Sequence, residues 1–302
     1  MRLPKKVIIK EVGPRDGLQN EKKFVSTNDK LHWIQLLEQS GLNYIEVSSF
    51  VRPDWIPQLS DSSELFMALN KKKDITYAAL VPNKRGLTRA FVVDADEVNF
   101  FLSASETHNR KNKNVTIEDS LNEIKKMVNE CKDYGKTTRV YISTVFGCPY
   151  EGNVDVKKVI SLAESLLALE IDEISFGDTI GIANPYQVGH FLEDLLKVIP
   201  VEKCAMHFHD TYGRGISNIY ESLRHGISVF DASTGGFGGC PYAPGASGNV
   251  ATEDVVSLLH SLGIETNVRL EDIVRAATFI SDKLHKQPTS KLWNVIQTTK
   301  EF

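Results

Sequence analysis

The sequence has no apolar stretch approaching the roughly 18 residues of a membrane span, so no membrane anchor is expected. Its 4 cysteines among 302 residues, Cys131, Cys148, Cys204 and Cys240, stand far apart with no C-x-x-C pair. That spacing argues against a zinc ribbon or a disulfide framework and fits a reducing cytoplasm. Strong charge of either sign is also missing: 35 Lys+Arg against 39 Asp+Glu give a formal net charge of -4, without the basic balance of a nucleic-acid-binding domain. Neither nucleic acid nor membrane is an expected partner. No serine- or glycine-rich linker divides the chain, and no phosphate-cradling glycine fingerprint follows the first strand-like run, which argues against Rossmann and P-loop nucleotide sites. The basic opening Met1-Arg2-Leu3-Pro4-Lys5-Lys6 runs straight into Val7-Ile8-Ile9, leaving no room for a signal or transit peptide.

What is present is repetition. Eight short β-branched runs recur: Val7-Val12, Tyr44-Ser48, Ile75-Val81, Glu97-Ser103, Thr138-Val145, Glu173-Gly177, Ala205-His209 and Val229-Ser233. Between them lie helical patterns at Thr27-Gln39, Asp61-Asn70, Lys84-Val92, Ile117-Tyr134, Val154-Leu169, Pro185-Lys197, Gly215-His225 and Thr252-Ser261. Alternation of this kind builds βα units around a parallel sheet, and eight units predict an α/β fold, a closed (β/α)8 TIM barrel. The whole chain, 1-302, is expected to form one domain: a barrel over about 5-262 and a C-terminal helical extension over about 263-302, with a last helix at Leu270-Leu284. Gly41 and Gly226 stand where left-handed helix C-caps are wanted, and Pro185 suits a first turn. Lys71-Lys72-Lys73 reads as a solvated helix end, and Trp33 and Trp293 as packing residues.

Barrels of this class place their chemistry at the carboxyl ends of the strands. Polar residues there are Arg15 and Asp16 after the first strand, Glu46 on the second, Asp178 after the sixth, His207 and His209 on the seventh, and Cys240 with Asn249 after the eighth. Residues two apart on a strand share a face, so His207 and His209 converge while Phe208 turns away. Two such imidazoles suit a divalent metal; two hydrogen-bonded structural histidines are the plainer alternative. Asp16 is positioned to complete a site with them and an amide oxygen, a mixed set that fits Mg2+ or Mn2+ better than structural zinc. Taken alone, Gly13-Pro14-Arg15-Asp16-Gly17 is equally a simple turn. The glycine-rich segment Gly235-Gly245 reads as a mobile lid carrying one thiol, Cys240. His32, His108, His190, His225, His260 and His285 fall on helices or loops and are expected to have surface or packing roles.

Those residues carry a resemblance. The chain resembles the 3-hydroxy-3-methylglutaryl-CoA lyase family, within the wider group of TIM-barrel metal-dependent lyases and condensing enzymes, from about Val7 to Ser290. The similarity rests on Glu11-Val12-Gly13-Pro14-Arg15-Asp16-Gly17-Leu18-Gln19-Asn20-Glu21, on Gly147-Cys148-Pro149-Tyr150-Glu151-Gly152 and on Gly177-Asp178-Thr179-Ile180-Gly181. The stretch Gly238-Gly239-Cys240-Pro241-Tyr242-Ala243-Pro244-Gly245-Ala246-Ser247-Gly248-Asn249 is the most specific. The histidines and the Arg-Asp pair mark the wider group, and the cysteine-bearing loop narrows it.

The resemblance implies cleavage of an acyl-CoA substrate to acetoacetate and acetyl-CoA, with Asp16, His207, His209 and Asn249 as metal ligands. It further implies Arg15 as a substrate contact that stabilises the enolate, Asp16 or His207 as base, and Cys240 as a proton donor on the lid. Glu46 and Asp178 match polar substrate-site positions. A homodimer is implied, and leucine breakdown and ketone-body formation are both possible settings. The basic segment Arg110-Lys111-Asn112-Lys113, read as a loop after the fourth strand, either attracts the phosphates of coenzyme A or is simply solvated. The chain ends Thr298-Thr299-Lys300-Glu301-Phe302 without the cysteine some relatives carry, so thiol regulation there is not expected. Rival readings are a related condensing enzyme or hydroxy-oxo-acid aldolase and, from another class, a non-catalytic barrel that binds metal or acyl-CoA.

Overall fold

The computed structural model describes residues 3–238 and 248–299. Its sheet is a closed barrel of eight strands in sequence order, every neighbouring pair parallel. The strands are β1 (Ile8–Glu11), β2 (Tyr44–Ser49), β3 (Thr76–Leu80), β4 (Glu97–Ser103), β5 (Thr137–Ser143), β6 (Glu173–Asp178), β7 (Cys204–Phe208) and β8 (Val229–Ala232). The helices are α1 (Thr27–Gln39), α2 (Ser62–Ala68), α3 (Lys84–Val92), α4 (Glu106–Lys113), α5 (Ile117–Asp133) and α6 (Val156–Leu167). They continue with α7 (Pro185–Leu195), α8 (Gly215–Arg224), α9 (Thr252–Ser261), α10 (Leu270–Leu284) and α11 (Lys291–Thr299). No helix among the described residues is long and apolar enough to cross a membrane.

Side-chain alternation divides the core in two. One face of each strand turns to the helices: Ile9, Ile45, Val47, Val98, Phe100, Val140, Ile142, Ile174, Phe176, Met206, Phe208 and Phe230 join the buried aliphatic and aromatic layer. The other face points into the barrel, a space that branched aliphatic residues usually fill. Here it is polar. At its amino-terminal floor Lys10 Nζ lies 2.9 Å from Glu173 and 3.5 Å from Glu97, and the Tyr44 hydroxyl donates to Glu97 at 2.7 Å. Because both faces are covered, the strands are buried nearly throughout.

The helix ends follow local chemistry. Asn184 and Thr116 form capping boxes with Gln187 and Asp119, and Pro185 takes the first position of α7. Gly41 and Gly226 have φ of 94° and 88°, the left-handed region that favours glycine. Two expectations need correction. Arg110–Lys113 is the last half of α4, started by the Ser105 side chain accepting from the His108 N–H, and not a loop. Lys71 lies beyond the end of α2 and donates to Asp94 O at 2.6 Å and Asp96 at 2.5 Å, so it ties the α2–β3 connection to the start of β4 instead of being left to solvent. Trp33 is fully buried, as a packing residue should be, and α10 packs against α1 and α9 outside the ring.

Candidate active site

The carboxyl mouth of the barrel holds a cavity of about 390 Å³, lined by Arg15, Asp16, His207 and His209 together with Gln19, Tyr141, Ser143 and Thr179. A larger surface depression, about 700 Å³, lies on the outer helices beside His32, Phe279 and Gln297; it is away from the strand ends and gathers none of the expected site residues.

After β1 the chain makes a single wide turn, Gly13–Gly17, with the Asp16 and Gly17 N–H groups both donating to Val12 O. That turn points Arg15 and Asp16 into the mouth. His207 is inward on β7, and His209, one residue past the strand, is held by an antiparallel bridge to Asn249. Asp16, His207 and His209 each offer a ligand atom, all within 4.8 Å of one another. Asn249 joins them, since its Nδ2 donates to Asp16 Oδ2 at 2.7 Å and to Phe237 O at 3.1 Å.

This donor set fits a divalent cation. Among the described residues, the buried atoms His209 Nδ1 and Asn249 Oδ1 have no hydrogen-bond partner, a costly state for buried polar atoms that an oxygen- and nitrogen-seeking ion would relieve. Charge agrees. Burial pushes the Asp16 carboxyl up, but Arg15 foremost and then the two histidines override it and hold it at about 2. Burial first, then His207, depresses His209 to about 4, which keeps its ring neutral and able to coordinate. Burial opposes the Arg15 charge, yet Asp16 and Glu46 raise its pKa above the ordinary value.

Of the remaining expected residues, Glu46 and Asp178 adjoin this centre. Glu46, fully buried, takes Arg15 Nε at 2.5 Å and Asn99 Nδ2 at 2.7 Å, so it stands behind the guanidinium. Asp178 ends β6 and accepts the Ile182 and Ala183 N–H groups at 3.1 Å each, while burial raises it to about 7. Cys240 lies outside the described residues, as do the other residues of 239–247. In α4, Arg110 pairs with Glu106 at 2.9 Å and Lys111 lies 4.3 Å over the Tyr150 ring. His108, expected in a surface or packing role, is buried and also lines the cavity with Asn112 of the same helix.

Sequence reasoning passed over Asn99, Arg139, Tyr141, Ser175 and Asp231. The Arg139 guanidinium and the Asp231 carboxyl are wholly buried inside the barrel and form an ion pair at 2.6 Å. Burial pushes Asp231 up, but Arg139 and then His207 hold it well below the carboxylate range. A partial signal did exist: Arg139 and Asp231 are each the one charged residue of an otherwise uncharged strand, in Thr137-Thr138-Arg139-Val140 and Val229-Phe230-Asp231-Ala232.

Fold and site together define a (β/α)8 barrel with a candidate cation centre at its carboxyl mouth. The chain belongs to the HMGL-like family, whose model matches residues 6–280. It is 51% identical over 299 residues to a hydroxymethylglutaryl-CoA lyase of Bacillus subtilis, covering 99% of this chain and 100% of that one. A crystal structure of the HMG-CoA lyase of Bacillus subtilis superposes with a TM-score of 0.97 at 51% identity, covering 98% and 100% of the two chains. An HMG-CoA lyase from Acinetobacter baumannii, solved in complex with coenzyme A and 3-methylmalate, matches with a TM-score of 0.92 at 38% identity, covering 97% of this chain and 95% of that one.

Proposed function

We infer that the chain is a hydroxymethylglutaryl-CoA lyase, a carbon-carbon lyase that splits (S)-3-hydroxy-3-methylglutaryl-CoA into acetoacetate and acetyl-CoA. The observation that carries this is 51% identity to such a lyase from end to end, joined to the Asp16, His207 and His209 cluster in the barrel mouth. Asp16, His207, His209 and Asn249 would hold the cation, Mg2+ or Mn2+. When bound there, a divalent cation supplies Lewis acidity to the tertiary hydroxyl of the substrate.

The residues then divide the work. Asp16 or His207 takes the hydroxyl proton as the C2–C3 bond breaks. The bonding electrons pass to the thioester as an enolate, and the Arg15 guanidinium, fixed by Glu46 and Asp16, faces the charge that develops only then. A preorganised donor of this kind is worth about 100-fold or more in rate. Cys240 returns a proton to the acetyl carbanion. Asp178 shapes the β6–α7 turn beside the acyl group. The coenzyme A complex of the Acinetobacter relative supports an acyl-CoA thioester as the ligand. On this reading residues 1–302 act as one domain, in a cytoplasmic homodimer.

The test is acetoacetate formation by metal-stripped protein, with and without Mg2+ or Mn2+. Metal-dependent product that falls by about 100-fold or more in His207→Ala is expected, and Cys240→Ala should keep Mn2+ and substrate binding while losing turnover. No acetoacetate under any metal, with coenzyme A released instead from acetyl-CoA and a 2-oxo acid, would transfer the protein to the condensing enzymes.

A further inference from the structure

Arg139, midway along β5, is fully buried in the barrel interior. An unpaired guanidinium there would be prohibitive, and even a paired one is commonly no more stabilising than an apolar side chain of the same size. Its retention asks for a purpose, and its contacts suggest one. Nη2 donates to Asp231 Oδ1 at 2.6 Å, Nη1 to the Tyr141 hydroxyl at 2.7 Å and Nε to Glu173 at 2.5 Å.

Two of those contacts lead toward two residues that line the mouth, His207 and Arg15. Asp231 Oδ2 receives the Ser175 hydroxyl at 3.0 Å and pairs with His207 Nδ1 at 3.1 Å. Occupying Nδ1 fixes the ring so that Nε2 points toward Asp16, 4.0 Å away; carboxylates behind histidine ligands act in this way. In the other direction the Tyr141 hydroxyl donates to Glu46 Oε1 at 3.2 Å, and Glu46 Oε2 holds Arg15.

We propose that Arg139 is a positioning residue that sets the cation-facing His207 and the substrate-facing Arg15 relative to each other, through the buried chain Arg15–Glu46–Tyr141–Arg139–Asp231–His207. The fork geometry matters, because a guanidinium serves both arms from one rigid plane whereas an ammonium does not. The inference rests on the lyase reading for Arg15 but not for His207, so part of its test involves no substrate.

Mn2+ affinity of the metal-stripped protein, measured by calorimetry, reads the His207 arm. KM and kcat at saturating Mn2+ read the Arg15 arm, and a thermal melt checks the fold. Asp231→Asn is expected to weaken Mn2+ about 10- to 100-fold with little change in KM. Tyr141→Phe should leave Mn2+ affinity within about twofold and weaken kcat/KM at least about tenfold, the scale of one charged hydrogen bond. Arg139→Lys should do both, and Arg139→Lys with Asp231→Asn should lose little more Mn2+ affinity than the worse single variant, since both cut one arm. Folded Arg139→Lys with wild-type Mn2+ affinity, or Mn2+ losses that add in full, overturns the proposal. Should Arg139→Lys fail to fold, Asp231→Asn and Tyr141→Phe decide: the separation of effects supports the chain, and equal Mn2+ affinity in the two refutes it. Failure of the lyase assay alongside a weakened Mn2+ site in Asp231→Asn would remove the substrate and leave the His207 arm standing.

Discussion

Asn249 shows what one residue contributes at this site. Its Nδ2 is committed to Asp16 and Phe237 O while its buried Oδ1 has no partner among the described residues, so the amide is oriented with its carbonyl toward the proposed cation. Asn249→Ala removes the proposed ligand oxygen and also frees Asp16. We expect Mn2+ affinity to fall about tenfold or more, read by calorimetry on the substrate-free protein; unchanged affinity would take Asn249 out of the ligand set. The two histidines were legible in the sequence because a strand has period two, and a pair of identical polar residues around Phe208 breaks an apolar pattern. Asp231 and Arg139 were harder to read, because each is the single charged residue of its strand and the two lie 92 positions apart, so only closure of the barrel brings them together.

Secondary-structure elements were legible wherever apolar periodicity was strong. The expected bounds of α1, α3, α9, α10 and β4 match the structure, and the other strand ends lie within two residues of expectation. Two helices were missed. In α4, Glu106-Thr107-His108-Asn109-Arg110-Lys111-Asn112-Lys113 has no apolar stripe to signal a helix, and α11, Lys291-Leu292-Trp293-Asn294-Val295-Ile296-Gln297-Thr298-Thr299, is made largely of weak helix formers. Chain reversals at helix ends allow a matched comparison. Gly41 and Gly135 both have positive φ, 94° and 63°, but a Cβ on Gly41 would lie 2.2 Å from Asn267 O whereas one on Gly135 meets nothing within 4 Å. Gly135→Ala should therefore cost about 1 kcal/mol from backbone strain alone. Gly41→Ala should cost at least about 2 kcal/mol more, because α1 and the segment before α10 must separate. Urea midpoints of the two variants check this, and equal losses would mean that the Asn267 backbone yields freely.

Over the whole molecule, buried carboxyls make stability depend on pH in a direction that surface charge does not dictate. Glu253, in the first turn of α9, is fully buried. Its Oε2 takes the Gly235 N–H at 3.0 Å, and its Oε1 has no partner among the described residues. Burial, opposed by the Gly235 N–H, raises its pKa from 4.5 to about 8, and Asp178 moves the same way, from 3.8 to about 7. For both, the folded state keeps a proton that the unfolded chain releases. Their contribution to stability is complete below the unfolded pKa and is lost as pH rises through the folded one. Asp16 has the opposite sign: its contribution is present above 3.8 and is lost only as pH falls toward about 2. Between pH 5 and 8.5 the raised pair outweighs the depressed His209, which opposes it only below about 6.5, so the urea midpoint of the metal-free protein should fall across that range, most steeply above pH 6.5. Glu253→Gln keeps an acceptor for Gly235 and removes the titration. It should flatten the fall and exceed wild type at pH 8 by about 1 kcal/mol or more, with the two curves converging near pH 4.5. Parallel curves for the two proteins would show that another group carries the proton linkage.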